Sequence, residues 1–544
     1  MRSTGRGLPR GARSLPRRAA STLALLTTLA TLTLTACTTD GGDGGSGSGG
    51  GTGKGGEAGA PSTLRVLASS ELSDMEPVLE EARKKTGVTV KPTYAGTLDA
   101  VEQIASGAAE KSYDAVWLSS NDYLRLRPNA VKRITAETPI MTSPVALGLR
   151  PEKVTALGWD PAKVTWSQIH QAVVAKKLGY GMTDPARSNS GFSALVSIAS
   201  GLSGAQSALT EQNVTAATPK LKEFFGGQKL TSGSSGWLAT AWSRREDVDA
   251  LINYESVLLT TGKELTVVRP ADGVVTADYP FTLLTAASPD AKQAAARLTA
   301  HLRTSDAQRL ITQRTLRRPV VPGVELAKPL AADQRRELPF PGSRAVADGL
   351  LDAYENKLRR PSRTVYVLDT SGSMEGERLT RLRSAFAELT EDFRDRETVT
   401  VMPFGTSVKQ NEVRTYTVDP AAPKKAIGAM RAQANGLSAS GGTAIYSSLE
   451  EAYEHLGKGT GGDTFTSIVL MTDGENTDGA PAAAFDSFYR DLPPAQKRTP
   501  VFPIVFGDSD RAALDHIASL TGGRLFDATK GSLDGAFEEI RGYQ

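Results

Sequence analysis

Among 544 residues there is one cysteine, Cys37, and only four histidines. A lone thiol cannot make an internal disulfide. His170, His301, His455 and His516 fall on separate predicted helices without metal-ligand spacing, so neither a zinc cluster nor a nucleophile-His-Asp set can be assembled. Aromatic residues make up 6% of the chain and form no stacking ladder interleaved with arginine, which argues against single-stranded nucleic acid. A strong field of one sign is also missing. The formal charge is +3, but residues 1–36 hold six arginines and no acid, and the remainder has 57 basic and 60 acidic residues. Nucleic acid is therefore not an expected partner. The length exceeds what one hydrophobic core organises, and about two to four domains are expected.

What is present begins with an Arg-rich start up to Arg18, followed by the apolar, threonine-rich run "AASTLALLTTLATLTLTA". Residues 1–36 read as an export signal. Arg17-Arg18 also raises a twin-arginine route. The run meets Cys37 in "LTAC", which resembles the lipobox of bacterial lipoproteins. The resemblance implies cleavage before Cys37, a diacylglycerol on its thiol, and a protein lipid-anchored to the cell membrane on its extracellular face. The alternative is a structural cysteine after a transmembrane helix, but a thiol ending an apolar run has no evident core to enter. Residues 37–62 then read as a flexible tether, since twelve of residues 41–60 are glycine. Its r.m.s. reach is about 25 to 30 Å.

From Leu64, "LRVLAS", "SDMEPVLEEARKKTG", "VTVKPTY", "TLDAVEQIASG" and "YDAVWLSS" alternate strand and helix, a βαβαβ pattern that predicts a parallel sheet. With "SPVALGLRPE", "DALINYESVLL" and "YPFTLLTAASPDAKQAAARLTAHLRTSDAQRLI", residues 63–345 resemble type II extracellular solute-binding proteins. The resemblance implies two α/β lobes closing on a small solute, with "SPVALGLR" and "LTVVRPADG" as crossovers. One lobe would hold residues 62–142 with about 268–345. Polar groups just past strand ends and at helix starts are the expected solute contacts: Ser69, Ser70, Ser119, Ser120, Ser188, Asn189, Ser190 and Glu255. "ARSNSGFSAL" offers hydroxyls and N–H groups to an anion at a helix start. Capping of that helix by Asn189 or Ser190 is the plain alternative.

After a linker-like stretch at 346–362, residues 363–544 alternate again. Strands are expected at "TVYVLD", "ETVTVMPFG", "TFTSIVLMTD", "TPVFPIVFG" and "RLFDA", which predicts a doubly wound α/β sheet. Asp369, Ser371 and Ser373 follow the first strand, Thr443 stands in the Gly-rich loop "GLSASGGTAIY", and Asp473 ends the apolar strand "SIVLMTD". Turns at the carboxyl edge of one sheet can converge, and hydroxyls with carboxylates form a hard-oxygen set suited to Mg²⁺, Mn²⁺ or Ca²⁺. The order Asp369-x-Ser371-x-Ser373, Thr443, Asp473 resembles a von Willebrand factor A (VWA) domain, Rossmann-like, with a complete metal-ion-dependent adhesion site. That implies coordination by Ser371, Ser373 and Thr443, with Asp369 and Asp473 often acting through waters and one position open to a partner's carboxylate.

Two functions follow as expectations. One is a membrane-anchored interaction protein that holds an acidic residue of a protein partner through the cation, with a small solute or anion in the middle module. The other is the substrate-binding lipoprotein of an ABC-type uptake system with an accessory VWA domain. No nucleophile, base and orienting group assemble, so an enzyme is not expected.

Overall fold

Twelve described strands precede residue 320: Ser62–Ser69 (β1), Val88–Ala95 (β2), Ala115–Trp117 (β3), Ile134–Pro139 (β4), Met141–Leu149 (β5), Tyr180–Thr183 (β6), Gln228–Ser232 (β7), Ala250–Tyr254 (β8), Thr266–Val268 (β9), Thr276–Ala277 (β10), Pro280–Leu284 (β11) and Arg318–Pro319 (β12). The computed structural model describes residues 61–261, 264–332, 336–390, 393, 397–457, 464–507, 509–529 and 540, with Glu388 by its backbone alone. Cys37 and the glycine tether lie outside the described residues. No helix among those described is long and apolar enough to cross a membrane.

The strands build two sheets, one ordered β2-β1-β3-β11-β4 and the other β10-β5-β8-β6-β7, with β9 and β12 also pairing to β5. β1 is parallel to β2 and β3, as the βαβαβ pattern predicts. β11 returns antiparallel between β3 and β4. Each sheet anchors one lobe. The chain crosses between lobes three times: at Ile140, at Asp278-Tyr279, and at Leu316-Arg317 after the helix Ser305–Thr315. The segments expected as crossovers, 143–150 and 265–273, instead contain β5 and β9, which pair with each other in the second sheet. The crossings fall just outside them, where pairing stops. Tyr279 and Leu316 have φ of 42° and 52°, a left-handed conformation that costs a non-glycine residue roughly 1–2 kcal/mol. Tertiary contacts hold both turns. Arg317, fully buried, grips Asp74 of the first lobe at 2.7 Å and lies over the Tyr279 ring at 4.8 Å.

The stretch expected to be a linker is instead a packed helix, Arg344–Ala353, continued by a π turn over Tyr354–Leu358. Val346, Ala347, Leu350, Tyr354 and Leu358 recur at three- and four-residue spacing and are buried in the core of the two-lobed module. Tyr354 meets Phe225 edge-on at 5.1 Å. Residues 317–332 and 336–358 therefore belong to the second lobe, not the first.

A third sheet runs β15-β14-β13-β16-β17-β18, formed by Ser362–Asp369 (β13), Thr398–Phe404 (β14), Arg414–Thr417 (β15), Phe465–Thr472 (β16), Val501–Val505 (β17) and Phe526–Asp527 (β18). β15, an exposed antiparallel edge strand, was not anticipated. In β13, Val365 and Val367 enter the core on one face while Tyr366 and Leu368 enter the core on the other. In β16, Ile468 and Leu470 alternate with Val469 and Met471 in the same way. Burial on both faces explains the uninterrupted apolar runs. Each such side chain contributes about 1.5–3 kcal/mol. The same burial forces the first polar side chains to the strand ends.

Candidate functional site

Asp369 is the last residue of β13 and is fully buried. Its two oxygens are already directed: Oδ1 accepts the Ser371 N–H at 2.9 Å and Oδ2 accepts the Thr472 hydroxyl at 2.6 Å. The turn that follows sets Ser371 Oγ 3.0 Å from Ser373 Oγ. Ser373 Oγ donates to Asp473 Oδ1 at 3.0 Å. The Gly-rich loop is pinned to this turn by Gly372 N–H to Gly441 carbonyl and Ser440 N–H to Thr370 carbonyl, both 2.8 Å. Gly441 has φ +82°, a conformation that favours glycine, and the Asp478 carboxylate packs directly against Gly442. The loop delivers Thr443, whose N–H donates to Thr477 Oγ1 at 2.9 Å. The hydroxyls of Ser373 and Thr443 both lie 3.8 Å from the point where a Gly474 Cβ would stand. All five residues expected at a metal centre thus converge on one edge of the sheet. Ser373 is exposed and the other four are buried.

Burial raises the Asp369 carboxyl above its usual range, helped by the charge of Asp473 and opposed by hydrogen bonds from Thr472 and Ser371. Asp473 is held on its other oxygen by Arg378, whose guanidinium is 42% exposed. Neither Arg378 nor Thr472 was anticipated. "MTD" and the helix after Ser373 could have pointed to both.

The donor set fits a small hard cation. In an octahedron with bonds of about 2.1 Å, neighbouring ligand oxygens stand about 3.0 Å apart. The Ser371–Ser373 and Ser373–Asp473 oxygen separations, 3.0 Å each, match that edge. All donors are oxygens, with no thiolate or imidazole to favour a softer metal.

The second site is a cleft of about 680 Å³ between the lobes. Ser69, Ser70, Ser188 and Asn189 line it. Ser119 stands behind Ser69, donating its N–H to Ser69 Oγ at 3.0 Å. The remaining three expected contacts are engaged elsewhere. Ser120 Oγ accepts the Asp122 N–H at 3.0 Å, just ahead of the short helix Asp122–Arg125. Ser190 Oγ bonds the hydroxyls of Thr183 and Ser235, each at 2.8 Å. Glu255, fully buried, accepts from Arg318 at 2.6 and 2.8 Å and from Arg269 at 2.7 Å, and it is absent from the cleft wall. It neutralises arginines at the third crossing. The N-cap position of the helix Asn189–Ser203 is Ser188, not Asn189 or Ser190, and it makes no side-chain cap hydrogen bond.

Several cleft residues were missed, among them the carboxylates Glu71, Asp74 and Asp99, and Arg187, Trp237 and Arg524. Glu71 projects into the cleft with its carboxyl raised by burial and partly offset by Arg317. Arg187 lies immediately before Ser188. Trp237 lies in the first turn of the helix Ser235–Ser243, whose start "SGSSG" carries the same hydroxyl-and-glycine signal that marked Ser188. Arg524 comes from the third sheet's own chain segment, just before β18, with its guanidinium 5.3 Å over the Trp237 ring. Trp237 in turn packs against that sheet's core.

Residues 64–314 match the family model of bacterial extracellular solute-binding proteins, and residues 365–539 match that of the von Willebrand factor type A domain. The chain carries both domains. The solute-binding module is therefore the two-lobed, periplasmic-binding-protein-like part, and the VWA domain is the Rossmann-like part that holds the five-residue centre. Among solved structures, the module resembles the periplasmic binding protein AfuA from Actinobacillus pleuropneumoniae at 13% identity and TM-score 0.44, covering 55% of this chain and 98% of that one. It also resembles the sulfate-binding protein SubI from Mycobacterium tuberculosis at 20% identity and TM-score 0.38, with coverage of 48% and 88%. A von Willebrand factor type A protein from Catenulispora acidiphila aligns at 18% identity and TM-score 0.29 over 34% of this chain and 42% of that one. No curated protein matches the chain.

Proposed function

We propose that this chain is a membrane-anchored extracellular interaction protein whose VWA domain grips a partner's carboxylate through a divalent cation. The observation that carries this reading is the convergence of Asp369, Ser371, Ser373, Thr443 and Asp473 with oxygen separations of 3.0 Å. Ser371, Ser373 and Thr443 would hold the ion directly, and Asp369 and Asp473 would supply charge to it or to its waters. Mg²⁺ is the first choice, with Mn²⁺ and Ca²⁺ as alternatives. The bound ion supplies electrostatic attraction for an acidic side chain. The role is binding, not catalysis. Pull-down by the full chain with and without EDTA tests it, with Asp369→Ala as control. Capture that survives both treatments would sink the metal-mediated mechanism.

Anchoring rests on "LTAC" and the tether that follows it. Cys37→Ala should abolish lipid labelling and membrane fractionation, and unchanged labelling would refute the anchor. The cleft favours a second reading, substrate capture for an ABC-type uptake system. Its walls combine serine hydroxyls, Arg187 and an uncapped helix start, a set that suits a small polar solute with an anionic group. A thermal-shift screen of the full chain against small anions and sugars tests this. Stabilisation lost in Arg187→Ala supports it, and a flat screen counts against it.

A further inference from the structure

A second cavity, of about 270 Å³, lies where the solute-binding module meets the VWA domain. Six cationic side chains border it: Lys229, Arg244 and Arg245 from the module, Arg360 just before β13, and Lys497 and Arg498 before β17. Among the described residues, Asp247 is the one carboxylate in its wall. Arg245 pairs with Asp247 at 2.8 Å, Arg498 reaches the same carboxylate at 3.3 Å, and Lys229 sits on the Asp247 main-chain oxygen at 2.8 Å. Arg244 donates to the Ser519 carbonyl and Arg360 to that of Gln228. Lys497 donates to the Arg490 carbonyl. Main-chain carbonyls orient cations without neutralising them. Among the described residues the wall thus sets six cationic side chains against one carboxylate, around a space for about nine waters.

Like charges held this close repel, and the repulsion is strongest where protein excludes part of the water. The cations come from both domains, so this repulsion acts across the seam. We infer that the seam cavity is a binding site for a small, multiply charged oxyanion of the pyrophosphate class, which joins the two domains by neutralising cations from each. The volume admits a compact anion and not a polymer. The site is separate from the solute cleft and from the metal centre, and its binding needs no divalent ion.

Calorimetric titration of the full chain with pyrophosphate, in EDTA and at matched ionic strength against chloride, tests the inference. Saturable binding is expected, with a rise in melting temperature. Arg244→Ser with Lys497→Ser should weaken it at least tenfold, while Asp247→Asn should tighten it. Arg187→Ser, in the cleft, should leave it unchanged. The inference is overturned by absence of saturable heat, by equal affinity in the double variant, or by loss in Arg187→Ser instead, which would move the anion to the cleft. Because Arg244 is exposed, a matching melting temperature without ligand will confirm that the variant folds.

Discussion

Two buried acidic centres in this chain differ in how fully their charges are compensated. At the third lobe crossing, Glu255 meets two arginines, and both of its oxygens are occupied. At the edge of the VWA sheet, Asp369 and Asp473 face the hydroxyls of Ser371, Ser373, Thr443 and Thr472 and one half-exposed guanidinium; among the described residues no cation bonds Asp369, and the Lys409 ammonium acts on it only through space. The first centre is complete without a visitor and acts as a rivet. The second has more negative charge than its surroundings neutralise, and its hydroxyls are spaced as ligands. Residue type alone does not separate the two; the count of counter-charges does.

The comparison can be broken most forcefully at the rivet. Glu255→Ala should leave Arg318 and Arg269 without their carboxylate and cost about 3–5 kcal/mol, measured by urea unfolding. A loss under 1 kcal/mol would mean that the cluster is not self-contained. At the metal centre the expected effect is conditional. Mg²⁺ at 100 times its dissociation constant should stabilise the wild type by about 2.7 kcal/mol, and Asp369→Ala should show no metal-dependent shift. Equal shifts in the two proteins would remove the distinction.

Asp278 sharpens the same contrast at the second crossing. Burial and the neighbouring Asp122 raise its carboxyl to about 6, against the opposing charge of Arg125. Its folded pKa lies above the unfolded value, so the folded state holds the proton more tightly. The associated stability is present below about pH 4 and is lost as pH rises through about 6. Asp278→Asn should flatten that profile and stabilise the protein at pH 7 by about 2 kcal/mol, since each pKa unit is worth about 1.4 kcal/mol and the group is partly solvated. A pH profile unchanged by the substitution would show that Asp278 is not the group responsible. The smallest effect is expected at Arg378. Removing this half-exposed competitor for Asp473 should tighten Mg²⁺ binding a few-fold, about 0.5–1 kcal/mol, by calorimetry; weaker binding in Arg378→Ala would show that it supports the site instead.

The cluster of Asp369, Ser371, Ser373, Thr443 and Asp473 was legible in the chain because its signals are local. Strand, aspartate and alternating serines lie within a dozen residues, and burial on both faces of β13 puts the first polar groups at the strand end. The cleft was only half legible. Ser69 and Ser188 announce themselves at element ends, but Arg524 reaches the cleft from a different domain. Glu255 looked like a solute contact because nothing near it in the chain reveals that Arg318 lies beside it. The helix Arg344–Ala353 was hidden by flanking proline, glycine and charge, which resemble a linker until its apolar stripe is matched to a surface. β15 was missed because an exposed edge strand carries no apolar alternation.

The seam residues Arg360, Pro500 and Arg524 precede β13, β17 and β18, while Asp369 ends β13 and Asp473 follows β16. Seam and metal centre thus stand at opposite ends of the same strands. A strand of eight residues such as β13 spans about 26 Å. A partner held at the metal would therefore pull along the strand axis. β13 is registered with β14 from Arg363 to Asp369 and with β16 from Ser362 to Leu368. Tension entering at one end would load both ladders in shear, shared among many hydrogen bonds at once, so the sheet would transmit force to the seam without unzipping.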